Sequence, residues 1–373
     1  MFNFKQYNWK NYNFFLVIVV IILSIISVFM VGKVEGDAKT KKHIMGIILG
    51  VMLMLTVAVI DYHSLCRLMW VLYVINLILL LLVKFSPLGK EQFSSKRWLD
   101  FKYFDLQPSE LTKIFMIIFL AQLFTIMYEK MDKISTALIA LFLMGIPTFL
   151  ILIQTNLSTS LVLMFIFVVM IYTAGLSYKI IVPTLVVGVP SLITILSYIQ
   201  QPFQKILQPY QQKRVLSILQ PELYPDAMYQ QNNSIQAIGS GQLYGKLLFD
   251  NGAEIRGSKY VAVAESDFIF SVIGEELGFL GSCIVIGLLI FLIIQCIITA
   301  KKAVDYTGML IAVGLSAMFS FQIFVNIGVA TSILPNTGLP LPFLSYGLSS
   351  LMSSMMGIGL ILNIGLQRRN YRR

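Results

Sequence analysis

Ten separate apolar stretches, each close to the length that crosses a lipid bilayer, constrain this chain more than any other feature. They run over 12–31, 43–60, 68–84, 109–128, 136–153, 159–175, 180–198, 281–299, 308–329 and 347–365. About 20 helical residues span roughly 30 Å of hydrocarbon, where every backbone N–H and C=O must be satisfied without water. The expected fold class is all-α: a polytopic integral membrane protein of about ten transmembrane helices, read as one transmembrane domain over 1–373. Composition agrees, with 57% hydrophobic and 12% charged residues and a mean hydropathy of +0.80, outside the range of soluble domains. The first stretch follows Lys5 and Lys10 but is too long for a signal-peptide core and lacks an A-x-A-like cleavage site, so it reads as a retained helix.

An even number of spans puts both termini on one side. The tail "QRRNYRR" carries four arginines and no acid, and Arg67, Lys130, Lys133, Lys179, Lys301 and Lys302 fall on the same side, which the positive-inside bias marks as cytoplasmic. The connections "GKVEGDAKTKKH" and "SPLGKEQFSSKRWLDFKYFDLQPS" are also basic yet would lie outside. The net charge of +10 is scattered over short connections, a pattern that suits acidic lipid headgroups and argues against nucleic acid as a partner. The longest polar segment, about 199–266, is then an extracytoplasmic loop between the seventh and eighth spans.

Cys66, Cys283 and Cys296 form no CxxC pair, and His43 and His63 belong to no ligand spacing, so neither a disulfide framework nor a histidine-based metal site is expected. The glycines of "AIGSGQLYGK" lack the GxxxxGK[ST] spacing and a preceding strand, which leaves no nucleotide site and no organic cofactor.

Function must then come from charges kept beside apolar sequence. In "VAVAESDFIFSVIGEELGFLGS", residues 261–282, four carboxylates stand at Glu265, Asp267, Glu275 and Glu276. Residues 281–299 span alone, so 267–278 is surplus and is expected at the outer interface or dipping into a cavity. Asp267 precedes an apolar helical run, as an N-cap does, but an ionisable group at a membrane cavity is also a functional candidate. The two roles are compatible. Glu275 and Glu276 read as structural charges on a helix surface. Glu110 and Lys113 are three apart, share one helix face and pair, either as an interfacial ion pair or as one wall of a polar cavity. Arg97 and Trp98 read as part of a basic and aromatic belt, or, with Arg214 and the loop cations Lys205, Lys213, Lys246 and Lys259, as a grip on pyrophosphate, which an arginine fork suits.

The ordered motifs "KRWLDFKYFDLQPSELTK", "PYQQKRVLSILQPE", "NNSIQAIGSGQLYGK", "SDFIFSVIGEELGFLGS" and "NIGVATSILPNTGLPLPFLSYGLSS" run through nearly the whole chain. With them the sequence resembles the SEDS (shape, elongation, division and sporulation) family of peptidoglycan glycosyltransferases, the RodA/FtsW group, and the short tails with "TGLPLPFLSYG" resemble RodA more. The resemblance implies an enzyme of the bacterial cytoplasmic membrane that polymerises lipid II on the outer side, with a class B penicillin-binding protein, a transpeptidase, as partner. It makes Asp267 essential and Arg97, Trp98 and the Glu110/Lys113 pair important.

The chain departs from the family pattern in several places. Ala262, Val263 and Glu265 stand where the family often has Pro-Glu and then His or Gln, so that Glu265 is the carboxylate left to substitute. Thr155 and Asn156 replace a proline and an aspartate, Leu348 replaces the second glycine of "SYGG", and Ser94 or Ser95 replaces the glycine before "RW". The implied reaction inverts an α-linked sugar pyrophosphate to a β-1,4 bond, for which one general base suffices. Asp267 is the candidate base, with Arg97, Lys113 and Arg214 as cations against the leaving pyrophosphate. Asp267 as ligand of a divalent cation, Mg²⁺ or Mn²⁺, stays open beside this. Two other classes compete, a lipid II flippase and a non-catalytic scaffold for a transpeptidase; Pro147, Pro183 and Pro190 inside spans suit the former, but no internal repeat supports it.

Overall fold

A computed structural model describes residues 7–9, 12–87, 89–92, 95–100, 105–201, 204, 212, 216–217, 220–247 and 256–367. Arg214, Lys205 and Lys213 lie outside the described residues.

The chain order is α1 (Phe14–Val34), α2 (Asp37–Val59), the short α3 (Tyr62–Arg67) and α4 (Met69–Phe85), then strands β1 (Gly89–Gln92), β2 (Ser95–Asp100) and β3 (Asp105–Leu106). There follow α5 (Pro108–Ile126), α6 (Ile134–Ile153), α7 (Leu157–Thr173), α8 (Tyr178–Ile199), α9 (Pro225–Ser240), α10 (Ile269–Lys302), α11 (Tyr306–Ala330) and α12 (Leu348–Leu366). Seven of these are long and apolar enough to cross a membrane, and α4, α7 and the start of α8 are shorter apolar helices, so the ten expected spans are all present as helices. The three strands form one antiparallel sheet in the order β1-β2-β3, a small departure from an all-α chain at the connection where "KRW" lies.

Burial sorts the helices. The apolar windows of α5, α11 and α12 are 72–78% buried inside the protein, against 33–44% in α1, α2, α6 and α10, so the first three form the centre and the others present a face to lipid. Close approach rests on glycine: a Cβ at Gly46 or Gly50 of α2 would stand 3.0 Å from Leu348 or Met355 of α12, and one at Gly359 of α12 would stand 2.6 Å from the Met54 carbonyl. Lipid gives helices no hydrophobic reason to associate, so small residues that let backbones pack carry that contact.

Tyr7 and Gln367, the first and last described residues, sit together at one end of the bundle. Tyr7 bridges to Gln367, and the Tyr7 hydroxyl donates to the Val59 carbonyl at 3.1 Å. At the same end His63 lies between Asp61 (2.7 Å) and Asp305 (3.2 Å), while the Tyr62 hydroxyl donates to Asp305 and Asn363 donates to the Ala58 carbonyl. The opposite end carries the sheet, α9 and, among the described residues, Arg97, Glu110, Lys113, Glu265 and Asp267.

The surplus stretch after Asp267 is helical and belongs to α10, which breaks at Gly278 (φ 67°, ψ −167°). Here "AIGSGQLYGK" finds its purpose. A Cβ at Gly241 would stand 2.0 Å from the Gly274 carbonyl, and one at Gly278 would stand 2.3 Å from the Gly245 nitrogen. The two backbones pass so closely that they exchange four hydrogen bonds: Lys246 N–H to Glu275 O, Leu247 N–H to Glu276 O, Phe279 N–H to Gln242 O and Leu280 N–H to Leu243 O, at 2.8–3.1 Å. Those bonds satisfy groups that an interrupted helix exposes.

Candidate functional site

Asp267 stands just before α10, but the N-cap position is Phe268, so the aspartate lies one residue outside the cap it was expected to form. Its segment is held from three sides. The Asn326 side chain on α11 donates to the Asp267 carbonyl at 2.8 Å, the Ser345 hydroxyl donates to the Ser266 carbonyl at 2.5 Å, and the Tyr346 N–H donates to the Glu265 carbonyl at 2.7 Å. The Ser266 hydroxyl donates to Asp267 Oδ1 at 3.2 Å. Gly338, at φ +73°, lies so close that a Cβ there would be 3.2 Å from Asp267 Oδ2. The loop between α11 and α12 therefore wraps the aspartate, which stays partly exposed.

Glu265 points its carboxylate at Lys39 (3.4 Å), which also holds Glu35 at 2.6 Å. Val263, two residues earlier, has φ +58°, a conformation that a β-branched residue adopts only under strain.

Lys113 and Glu110 pair at 2.8 Å in the first turns of α5, with side chains 1% and 3% exposed. The interfacial reading is corrected: an ion pair at the headgroups would be wet, and this one is buried against α12. Ser353 of α12 donates to the Glu110 carbonyl at 2.9 Å, and Ser349, one turn earlier, accepts from the Gln107 N–H at 2.9 Å. These serines bond backbone groups at the start of α5.

Arg97 lies in β2 at a β-bulge: Lys90 pairs with Trp98 and Glu91 with Lys96, which leaves Arg97 as the extra residue. A bulge turns a side chain away from the strand's regular alternation. The Arg97 Nη2 donates to the Thr155 carbonyl at 2.6 Å, and Thr155 sits at φ +58°. Trp98 is half-buried in the same strand. The next residue, Asn156, caps α7 by accepting from the Thr159 N–H at 3.2 Å, and its amide approaches the Ser109 hydroxyl at 3.5 Å. Asparagine and aspartate cap equally well, which gives Asn156 a role at the position where the family pattern has an acid. Ser158 then donates to the carbonyl of Thr337, beside Gly338.

The start of α7 thus links three of the singled-out groups: Arg97 through Thr155, the Glu110/Lys113 helix through Asn156, and the Asp267 loop through Ser158. Glu275 and Glu276 do not join them. Their reading as helix-surface charges is corrected, since both are fully buried. Glu275 accepts from Lys246 at 2.9 Å, from the Gly257 N–H at 2.7 Å and from the Ser258 N–H at 2.8 Å, while Glu276 pairs with Arg256. They anchor the long loop to the membrane-embedded helix. α9 adds to that anchorage: Gln231 donates to the Val329 carbonyl at 3.1 Å and Ser234 to that of Ala330 at 2.7 Å, closing the end of α11.

Residues 3–370 match the family model FTSW_RODA_SPOVE, described as a cell cycle protein. The chain belongs to this family. Among its relatives it is 30% identical over 376 residues to the probable peptidoglycan glycosyltransferase FtsW of Trichlorobacter lovleyi, covering 96% of this chain and 94% of that one. It is 31% identical over 366 residues to the stage V sporulation protein E of Bacillus subtilis, covering 95% and 97%. A solved structure described as a peptidoglycan synthase complex that coordinates polymerization and crosslinking superimposes with a TM-score of 0.79 at 27% identity, over 98% of this chain and 100% of that one. The rod shape determining protein RodA of Thermus thermophilus superimposes with a TM-score of 0.69 at 25% identity, over 96% and 98%. The names range over FtsW, sporulation and RodA proteins.

For a SEDS chain, sequence reasoning misses Asn326, Gly338 and the Thr155 carbonyl. Asn326 opens the quoted motif "NIGVATSILPNTGLPLPFLSYGLSS", and its signal was an amide in an apolar helix, one of two there with Gln322. The Thr155 carbonyl had no signal, because a backbone conformation selected for direction leaves no mark in residue type.

Proposed function

We propose that this multi-pass membrane protein is a peptidoglycan glycosyltransferase that polymerises lipid II into β-1,4-linked strands, with Asp267 as its general base. The observation that carries the reading is a partly exposed carboxylate fixed by backbone contacts at the end of the bundle and linked through α7 to Arg97 and the Glu110/Lys113 pair. The acceptor sugar's 4-hydroxyl loses its proton to an Asp267 carboxylate oxygen as the hydroxyl oxygen attacks the anomeric carbon. The bond from that carbon to the pyrophosphate oxygen breaks, and the prenyl pyrophosphate leaves from the opposite face, so α becomes β. Arg97, whose Nη2 holds the Thr155 carbonyl, presents its planar guanidinium to pyrophosphate oxygens and stabilises their developing charge. The buried Glu110/Lys113 pair is neutral as a unit and fixes the wall behind them.

Among the described residues no group of three or more His, Cys, Asp or Glu gathers in the manner of a protein-made metal cage. Asp267 alone fits a divalent cation held mainly by substrate phosphates, as Mg²⁺ is commonly held. Such a cation, when bound, would neutralise charge on the leaving group.

The site end is assigned to the outer side and the termini to the cytoplasm, since Arg67, Lys301 and Lys302 lie at the opposite end and the sequence after Gln367 carries four arginines and no acid. A transpeptidase of the class B penicillin-binding type is the proposed partner, supported by the likeness to a complex that couples polymerization to crosslinking.

The test is polymerisation of labelled lipid II by the purified chain, with and without a transpeptidase and divalent metal, comparing wild type with Asp267→Asn. Glycan strands from wild type and none from a folded variant that still binds lipid II are expected. Equal polymerisation by both would remove Asp267 from the chemical step.

A further inference from the structure

We propose that Asn326 is the positioning residue of the site: one buried side-chain amide that sets where Asp267 stands relative to the loop in front of it. The inference rests on the reading of Asp267 as the base.

Asn326 is 1% exposed and lies in the last turns of α11. Its Nδ2 donates to the carbonyl of Asp267 at 2.8 Å and to that of Leu339 at 2.7 Å, partners 59 and 13 residues away in sequence. Both amide hydrogens are used on carbonyl oxygens, which also fixes which end of the amide is nitrogen, because the flipped group would set oxygen against oxygen. Asn326 Oδ1 is buried and has no hydrogen-bond partner among the described residues. A buried acceptor without a partner is costly, so the side chain is not placed there for stability alone.

The two tied carbonyls belong to the segment carrying the aspartate and to the loop facing it. Leu339 follows Gly338, whose backbone comes so close to Asp267 that a Cβ would be 3.2 Å from Oδ2. Tying residue 339 therefore sets how near residue 338 comes to the carboxylate, and tying residue 267 sets the aspartate itself. The replacements closest to it in size do not perform this in one piece. Aspartate would bring a carboxylate against two carbonyls, serine has a single donor hydrogen, leucine has none, and glutamine is a methylene too long. A loosened base keeps its charge and its access to substrate but loses the geometry on which proton transfer depends. Asn326 touches the main chain of the acting residue, so its removal falls on the chemical step and leaves binding in place.

The experiment uses the full chain, purified with its transpeptidase partner, and labelled lipid II. Asn326→Leu, Asn326→Ser and Gly338→Ala are compared with wild type and Asp267→Asn by kcat, KM, melting temperature and hydrogen–deuterium exchange. Both Asn326 variants are expected to lose about 10- to 100-fold in kcat with KM within threefold of wild type. Exchange should rise in peptides covering 261–268 and 338–346 while α11 stays protected, and Gly338→Ala should share the loss of kcat. Folded Asn326 variants with wild-type kcat would overturn the proposal, as would exchange rising along α11 itself or failure of both variants to fold, since each makes the residue structural. Wild-type activity in Asp267→Asn would instead defeat the base reading, whatever the Asn326 variants do.

Discussion

Lys113 holds Glu110 at 2.8 Å in a place that almost excludes solvent from both side chains. A buried pair adds little net stability over an apolar pair of the same size, but its halves cannot be left alone. Lys113→Met leaves a carboxylate buried without its cation and should cost about 3–5 kcal/mol, as should Glu110→Gln for the ammonium. The double variant should recover most of that loss. Melting of the two single variants and the double in one detergent measures the coupling, and additive losses would show that the pair does not act as a unit.

Arg97 is expected to act through shape as well as charge. The guanidinium has donors enough to hold the Thr155 carbonyl and still address a diphosphate, whereas lysine offers one compact charge without the fork. Arg97→Lys should therefore lower kcat/KM for lipid II polymerisation by about 10- to 100-fold, roughly 1.4–2.8 kcal/mol, with little change in melting temperature. A lysine variant with wild-type activity would reduce the role of Arg97 to charge alone.

Gly278 should tolerate no side chain. Its backbone conformation is nearly restricted to glycine, and a methyl group would meet the Gly245 nitrogen at 2.3 Å. Gly278→Ala is expected to cost about 3 kcal/mol or more through strain and overpacking. The four backbone bonds between 242–247 and 275–280 would part with it, so the effect is read as proteolysis within 242–247 together with a lowered melting temperature. Unchanged protection of that segment would contradict this account.

The spans were legible because a bilayer imposes one length and one polarity on whatever crosses it. Asp267, Glu110 and Lys113 were legible for the same reason, as charges where charge is costly. The fate of Glu275 and Glu276 was not: they look the same in sequence, and only the return of Lys246, Arg256 and the Gly257 and Ser258 amides from the long loop shows that they are anchors. The hairpin around Arg97 was hidden because a bulge depends on strand register, which the string "SSKRWLD" does not reveal. Asn326 needed the fold, since its two partners come from segments far apart in sequence.

The terminal end of the bundle should carry a pH dependence of its own. Burial alone would push the His63 imidazole down, but hydrogen bonds and charge from Asp305 and Asp61 outweigh it and hold the group up at about 9, above its ordinary 6.5. A group raised on folding contributes stability that is fully present below pH 6.5 and is lost as pH climbs through about 9. Burial would raise the Asp61 and Asp305 carboxyls, yet bonds from His63, with the Tyr62 hydroxyl also on Asp305, hold both below the ordinary 3.8, so their share is present above that value and fades as pH falls through the folded one. The cluster is therefore most stabilising between about pH 4 and 6.5. His63 is about a third exposed, so screening reduces its contribution to about 1 kcal/mol. Melting of wild type should fall between pH 6.5 and 9.5, and His63→Gln should flatten that slope while leaving polymerisation at the far end unchanged at pH 7. An equal slope in both proteins would place the titration elsewhere.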